Sequence, residues 1–273
     1  MKDNKMLGLN TSFSLQGKDV LSTFLDMPFW IWDPCTHRNQ YSTEGGYCCF
    51  NHILSLPSKD GVSYPLFRFQ KIIFDILEQN QKVWIKKARG LGLTTFILRY
   101  LTWKILFSSE LDYKSIYVIA GNGDGSSHKM DAMLKKLFEK RFSLLKLDSK
   151  FTDLWLKKTW IKILDSTDII DFAAYDIAYL FIDDADFLEP SKQVKLDQMI
   201  SSCSVKSNCR TIMVSTPNQR GSLFEKIENG EKSGYAKLKL DYRYGIDTFY
   251  DGKFIESKKL EPEFDREYNI VYK

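Results

Sequence analysis

Apolar and polar positions alternate along this chain between short unbroken apolar runs and longer amphipathic stretches. From Phe69 to Gln79, Ile72, Ile73, Ile76 and Leu77 share one face of a 3.6-residue period, which predicts a helix. Val83-Trp84-Ile85 predicts a strand ending in Lys86-Lys87, followed by the loop Ala88-Arg89-Gly90-Leu91-Gly92. Thr94-Thr95 then opens a long apolar helix through about Phe107. A second strand, Ser115 to Ala120, runs into the loop Gly121-Asn122-Gly123-Asp124-Gly125, and a charged amphipathic helix covers about His128 to Arg141. Residues 151–171 predict a hairpin or short strands around Trp160 to Leu164. Tyr179 to Ile182 is a third buried strand, ending in Asp183-Asp184. Thr211 to Val214 is a fourth, ending in Ser215-Thr216-Pro217-Asn218, and Ala236 to Leu240 alternates like an edge strand.

Strands alternating with helices predict an α/β fold with a mainly parallel central sheet flanked by helices. Ligands are then expected at the carboxyl ends of the strands. Residues 1–60 lack such periodicity and carry turn formers at Asp33-Pro34, Gly45-Gly46 and Pro57 to Gly61. They predict an irregular N-terminal arm or lid. The core spans 61–245, and 246–273 form a C-terminal linker.

The first carboxyl end has the parts of a phosphate cradle. Backbone N–H groups must converge on one point, glycine must allow close approach, and a helix N-terminus must stand behind. The usual pattern is Gly, four residues, then Gly-Lys-Ser/Thr. Here Gly92 is the second glycine and Thr94 the hydroxyl, but Leu93 fills the lysine position and Lys87 the first glycine position. Lys87, at the mouth of the loop, has the reach to replace the missing ammonium. The plainer alternative is a glycine turn whose lysines merely solvate it.

The third strand delivers two carboxylates to its tip, the usual Mg²⁺-holding element opposite a phosphate loop. Successive side chains on a strand face opposite ways, so one acid serves a metal while its neighbour polarises water. The alternative is a solvated acidic turn, since Asp186 adds a third acid. Phosphate loop, acidic strand end and a further strand ending in Ser-Thr occur in the order of one ATPase core.

These residues resemble the large terminase subunits of tailed viruses, the motors of DNA packaging. Lys87-Ala88-Arg89-Gly90-Leu91-Gly92-Leu93-Thr94 is similar to that family's deviant Walker A loop, Lys-x-Arg-x-x-Gly-x-Ser/Thr. Phe69-Gln70-Lys71 resembles its adenine-reading glutamine segment, Phe181 to Phe187 its acidic strand, and Val214 to Asn218 its coupling motif. Phe264-Asp265-Arg266-Glu267-Tyr268 resembles the stretch that closes the ATPase domain. The likeness covers about residues 64–273.

The resemblance implies a P-loop NTPase fold of the ASCE type and hydrolysis of Mg-ATP coupled to DNA translocation. Lys87 would hold the β- and γ-phosphates within a loop reaching through Thr95. Thr94 and Asp183 would hold Mg²⁺, Asp184 the attacking water, and Arg89 would act as a cis finger on the transferring phosphate. Gln70 would read adenine, and Ser215 and Thr216 would couple hydrolysis to movement. Implied partners are double-stranded DNA, a capsid portal, a ring of identical subunits and a nuclease domain or subunit on another chain. The implied place of action is the host cytoplasm, on the procapsid. Two features depart from the family: Asp184 stands where glutamate is expected, and the sequence ends at Lys273, where a nuclease domain would begin. They keep open a catalytically weak or dead nucleotide-binding module; a helicase-like DNA-dependent ATPase is a further alternative.

Composition changes this picture little. Hydrophobic residues make up 44% and charged residues 27% of 273, an ordinary globular mix, and the net charge of +4 is too mild to identify a nucleic-acid binder. No apolar stretch approaches the roughly 18 residues of a membrane span, and the N-terminus lacks a signal-peptide apolar region. Five cysteines without an export signal are expected to be reduced. Cys35, His37, Cys48, Cys49 and His52 bring zinc-type ligands together. Their spacing fits no standard finger, so reduced cysteines in a loop-rich arm remain the alternative to a Zn²⁺ site.

Overall fold

The computed structural model describes residues 66–273, apart from 108, 122–125, 142–147, 151–152, 157 and 170–175. It also describes a small antiparallel pair, β1 (Ser14–Leu15) and β2 (Lys18–Asp19). The rest of the expected arm, with Cys35, His37, Cys48, Cys49 and His52, lies outside the described residues.

The main sheet contains eight strands: β3 (Lys82–Lys87), β4 (Ser115–Ala120), β5 (Asp148–Lys150), β6 (Asp153–Leu156), β7 (Thr159–Asp165), β8 (Ile177–Asp183), β9 (Arg210–Ser215) and β10 (Ala236–Leu240). Their spatial order is β10-β3-β9-β8-β4-β7-β6-β5. The pairs from β10 across to β7 are all parallel, and β7-β6-β5 continues as an antiparallel meander. The expected edge strand at 236–240 is β10, beside the phosphate-loop strand. The expected short strands within 151–171 are β6 and β7.

Helices cover both faces, as a parallel sheet requires. Alternation along the strands assigns each residue to a face. Val83 and Ile85, Ile116 and Val118, Tyr179 and Phe181, and Ile212 and Val214 join one core cluster. That cluster packs under α1 (Arg68–Gln79), α2 (Leu93–Phe107) and α3 (Ser126–Arg141). Trp84, Tyr117, Ile119, Leu180, Ile182 and Met213 point the other way. They pack under α4 (Pro190–Lys206) and α5 (Leu223–Glu228), where Trp84 donates its indole N–H to the Phe224 carbonyl at 3.0 Å. Two short helices, α6 (Gly252–Lys259) and α7 (Phe264–Glu267), return the chain to the first face through Ile255, Phe264 and Tyr268.

This two-face parity fixes the site. Lys87 continues the series Val83, Ile85, and Asp183 continues Tyr179, Phe181. Both therefore leave their strands toward the α2 side, at neighbouring carboxyl ends. Lys86 shares the parity of Trp84 and faces α5.

Candidate nucleotide site at the carboxyl ends of the strands

The loop between β3 and α2 is anchored at both ends. The Ala88 N–H donates to the Leu240 carbonyl at 2.7 Å, and the Arg89 N–H to the Glu267 carbonyl at 2.8 Å. Gly90 and Gly92 adopt φ of +87° and +69°, which side-chain-bearing residues rarely do. Leu91 and Leu93 are fully buried in the core. Leu93 thus serves as a core anchor at the usual lysine position, and a charge placed there would be buried among apolar side chains.

The displaced lysine lies where its parity demands. Lys87 is buried, and its Nζ stands 3.5 Å from Oδ1 of Asp184. Thr94, in the first turn of α2, donates its hydroxyl to Oδ2 of Asp183 at 2.6 Å. Oδ1 of Asp183 is buried and has no hydrogen-bond partner among the described residues. Burial, reinforced by the neighbouring Asp184 charge, pushes the Asp183 carboxyl up to about 6. An orphaned carboxylate oxygen beside a threonine hydroxyl is a hard, oxygen-only donor set that fits Mg²⁺.

Asp184 itself is left-handed, with φ 49° and ψ 42°. Aspartate tolerates this region better than most residues. The backbone there is held tightly: the Gly121 N–H donates to the Asp183 carbonyl at 2.8 Å, and a Cβ on Gly121 would collide with the Asp184 carbonyl oxygen. Only glycine lets β4 pass so close to the acidic tip.

Arg89 points away from the lysine and acids. Its exposed guanidinium pairs with Oε1 of Glu267 at 2.6 Å, and Arg266 reaches the same oxygen at 3.1 Å. Arg266 also donates to Oδ1 of Asn218 at 3.0 Å, at the end of the expected coupling segment. Ser215 and Thr216 are buried. The Ser215 hydroxyl accepts the Asp186 N–H at 3.1 Å, while Oδ2 of Asp186 accepts the backbone N–H groups of Asn218 and Gln219 at 2.5 and 3.2 Å. A continuous polar chain therefore joins the acidic strand end to the coupling segment, and the coupling segment to Arg89. Gln70 is buried in the first turn of α1, where its Oε1 accepts the Phe67 N–H at 3.1 Å.

The residues expected from sequence at 87–95 and 183–184 converge. Thr95, half-buried in the first turn of α2, follows directly on Thr94. Gln70, Ser215 and Thr216 sit at the rim. Sequence reasoning missed Gly121's steric role, the Asp186 staple and the Glu267 partner of Arg89. Gly121 carried a faint signal as the first residue of its loop. Asp186 and Glu267 carried none, because their partners are distant in sequence.

A six-stranded parallel core, a glycine loop entering a helix and an acidic neighbouring strand end define the P-loop α/β fold. More narrowly, this is the fold of large-terminase ATPase domains. The chain superposes on the large terminase of bacteriophage HK97 with a TM-score of 0.67 at 14% identity, over 84% of this chain and 54% of that one. It matches the large terminase ATPase domain of Thermus phage P74-26 with a TM-score of 0.56 at 14% identity, over 80% of this chain and 99% of that domain. A large terminase from a thermophilic bacteriophage follows with a TM-score of 0.58 at 12% identity, over 75% of this chain and 53% of that one. The chain therefore spans about half the length of the HK97 protein and of this thermophilic one. No family model and no curated protein matches its sequence.

Proposed function

We propose that this chain is the ATP-hydrolysing motor domain of a terminase-like protein that moves viral double-stranded DNA into a capsid. The observation that carries the proposal is the meeting of the Thr94–Asp183 hydrogen bond with the Lys87–Asp184 pair at adjoining strand ends. The large terminase of the thermophilic bacteriophage is known in complex with ADP, which supports a nucleotide as the ligand of this fold.

Catalysis at such a site is mainly positioning and electrostatics. Lys87 meets the β- and γ-phosphates from the mouth of the loop, while the N–H groups around Gly90 and Gly92 line the cradle. Thr94 and Asp183 would hold Mg²⁺, which neutralises charge on the phosphate oxygens when bound. Asp184 orients the attacking water and accepts its proton. Arg89 leaves Glu267 to meet the developing charge, and its departure is felt at Asn218 through Arg266. Proposed partners are double-stranded DNA, a capsid portal, further copies in a ring and a nuclease domain or subunit, in the host cytoplasm.

A second reading is favoured by the short acid at 184. Aspartate is one methylene shorter than glutamate and here is drawn toward Lys87. On this reading the chain binds Mg-ATP and turns it over near background. Steady-state phosphate release with DNA present, beside equilibrium ATP binding, separates the two. Release well above background supports the motor; binding without release supports the weak module.

A further inference from the structure

The segment that follows β10 folds over the phosphate loop. Its turn is drawn together by the Gly245 carbonyl, which accepts the N–H groups of Phe249 and Tyr250, both at 2.9 Å. Gly245 has to be glycine, since a Cβ there would collide with the Tyr250 ring. Tyr250 is buried and donates its hydroxyl to the Arg89 carbonyl, so the turn is bonded to the loop.

That bond places Phe249 on the second glycine. A Cβ on Gly92 would lie 3.5 Å from Cε1 of Phe249. The opposite support comes from the start of α1: Phe67 meets the Phe249 ring edge-on at 5.2 Å between centroids, and Phe69 is tilted against it at 6.1 Å. One residue further along α1 is Gln70. Its Oε1 is committed to the Phe67 N–H, so Nε2 is the end of the amide left to donate.

Phe249 nevertheless stays 41% exposed, in a row of uncovered apolar side chains with Tyr244, Ile246 and Phe254. A propped aromatic ring, held at a phosphate loop beside an amide donor, has the chemistry of a purine site. The ring offers its π-face, and the amide offers a donor to a ring nitrogen.

We propose that Phe249 is the stacking platform for the nucleotide base, supplied by the C-terminal segment and held in place by Tyr250 and Gly245. The assignment rests on the nucleotide reading above and adds to it the residue that selects a base over bare phosphate. It also explains why the segment is bonded to the loop: the platform and the cradle must keep a fixed spacing to grip one molecule.

The test measures equilibrium binding of Mg-ATP and of Mg-tripolyphosphate to the whole chain, in the native form and in Phe249→Ala, Phe249→Leu and Phe249→Trp. Stacking contacts of this kind weaken binding about ten- to a hundred-fold when truncated. The expected result is such a loss of ATP affinity in the alanine and leucine forms, with tripolyphosphate binding unchanged and ATP binding kept in the tryptophan form. Leucine keeps apolar volume without a π-face, so it separates stacking from packing. Unchanged ATP affinity in both truncations overturns the platform while leaving the proposed function standing. Equal loss of both ligands overturns it too, in favour of a purely structural turn. A change only in self-association would make the patch an interface between copies and remove the base from it. Native protein that binds tripolyphosphate but not ATP overturns the platform, and native protein that binds neither removes the proposed function as well.

Discussion

Replacing the two adjacent lysines separately tests the face assignment that the whole site depends on. Lys86 and Lys87 are neighbours in sequence, yet they belong to different halves of the protein. Lys86 is buried on the α5 side, and its Nζ lies 2.5 and 2.7 Å from the two oxygens of Glu228. Burial lowers its pKa, against the upward pull of Glu228. Breaking a buried pair by removing one partner costs about 3–5 kcal/mol, because a buried charge is left behind. Glu228 keeps a second cation, Lys239 at 2.6 Å, so the loss for Lys86→Ala is smaller, about 2 kcal/mol. For a domain of this size that lowers the melting temperature by about 4–8 °C. Lys87→Ala removes no such pair, since Asp184 is 3.5 Å away and partly exposed. Its stability cost is below about 1 kcal/mol. Its catalytic cost is large: one lost donor to a developing oxyanion lowers turnover about 10²–10³-fold. The two variants should therefore cross over. Lys86→Ala melts early but hydrolyses ATP at near-native rate below its transition, while Lys87→Ala melts normally and is nearly inactive. Thermal melts and phosphate release on the same preparations decide it. Equal loss of turnover in both, or native turnover in Lys87→Ala, would refute the parity argument.

Other outcomes follow from the same geometry. Asp184→Asn keeps both shape and left-handed tolerance, so ATP binding should persist while turnover falls about 10²–10⁴-fold. Asp184→Glu regains reach but places a longer residue at φ 49°, at a backbone cost on the order of 1 kcal/mol, visible as a lower melting temperature whatever the rate does. Asp183 is raised in the folded state relative to the unfolded chain, so its native form binds a proton more readily. Without Mg²⁺ and nucleotide, this group should therefore add stability as pH falls from 7 toward 5. Mg²⁺ affinity should drop about tenfold per unit below pH 6, measured by titration calorimetry. A pH-independent affinity would contradict the role of Asp183. Gly121→Ala forces a Cβ against the Asp184 carbonyl and should cost about 1–3 kcal/mol of stability together with most of the turnover. An unaffected melt would show that the acidic tip is looser than described.

Much of this architecture was legible because buried parallel strands must be apolar on both faces. Val83 to Ile85, Tyr179 to Ile182 and Thr211 to Val214 could hardly be anything else, and each delivered its polar tip to the carboxyl edge. The helix α4 was not anticipated. It is largely polar, and its buried residues Leu196, Met199, Ile200 and Cys203 follow a helical spacing diluted by exposed Val194 and Val205. Pro190 at its first turn was the available start signal. Within the site, motif spacing found Lys87, Thr94 and Asp183 because strand and helix geometry tie each to its neighbours. The pairing of Arg89 with Glu267, and the seat of Phe249 on Gly92, join residues far apart in the chain. No local pattern encodes such contacts; they arise only when the segment after β10 folds back. The left-handed turn at Asp184 is similarly set by Gly121 on a different strand.

Whether the cradle works as a motor site is decided by phosphate release from Mg-ATP by the native chain, with and without double-stranded DNA, beside equilibrium ATP binding. Saturable ATP binding is expected, with turnover above background that rises when DNA is added. Failure to bind ATP at all would contradict this, because neither the motor nor the weak module survives without an occupied cradle at Lys87, Thr94 and Asp183.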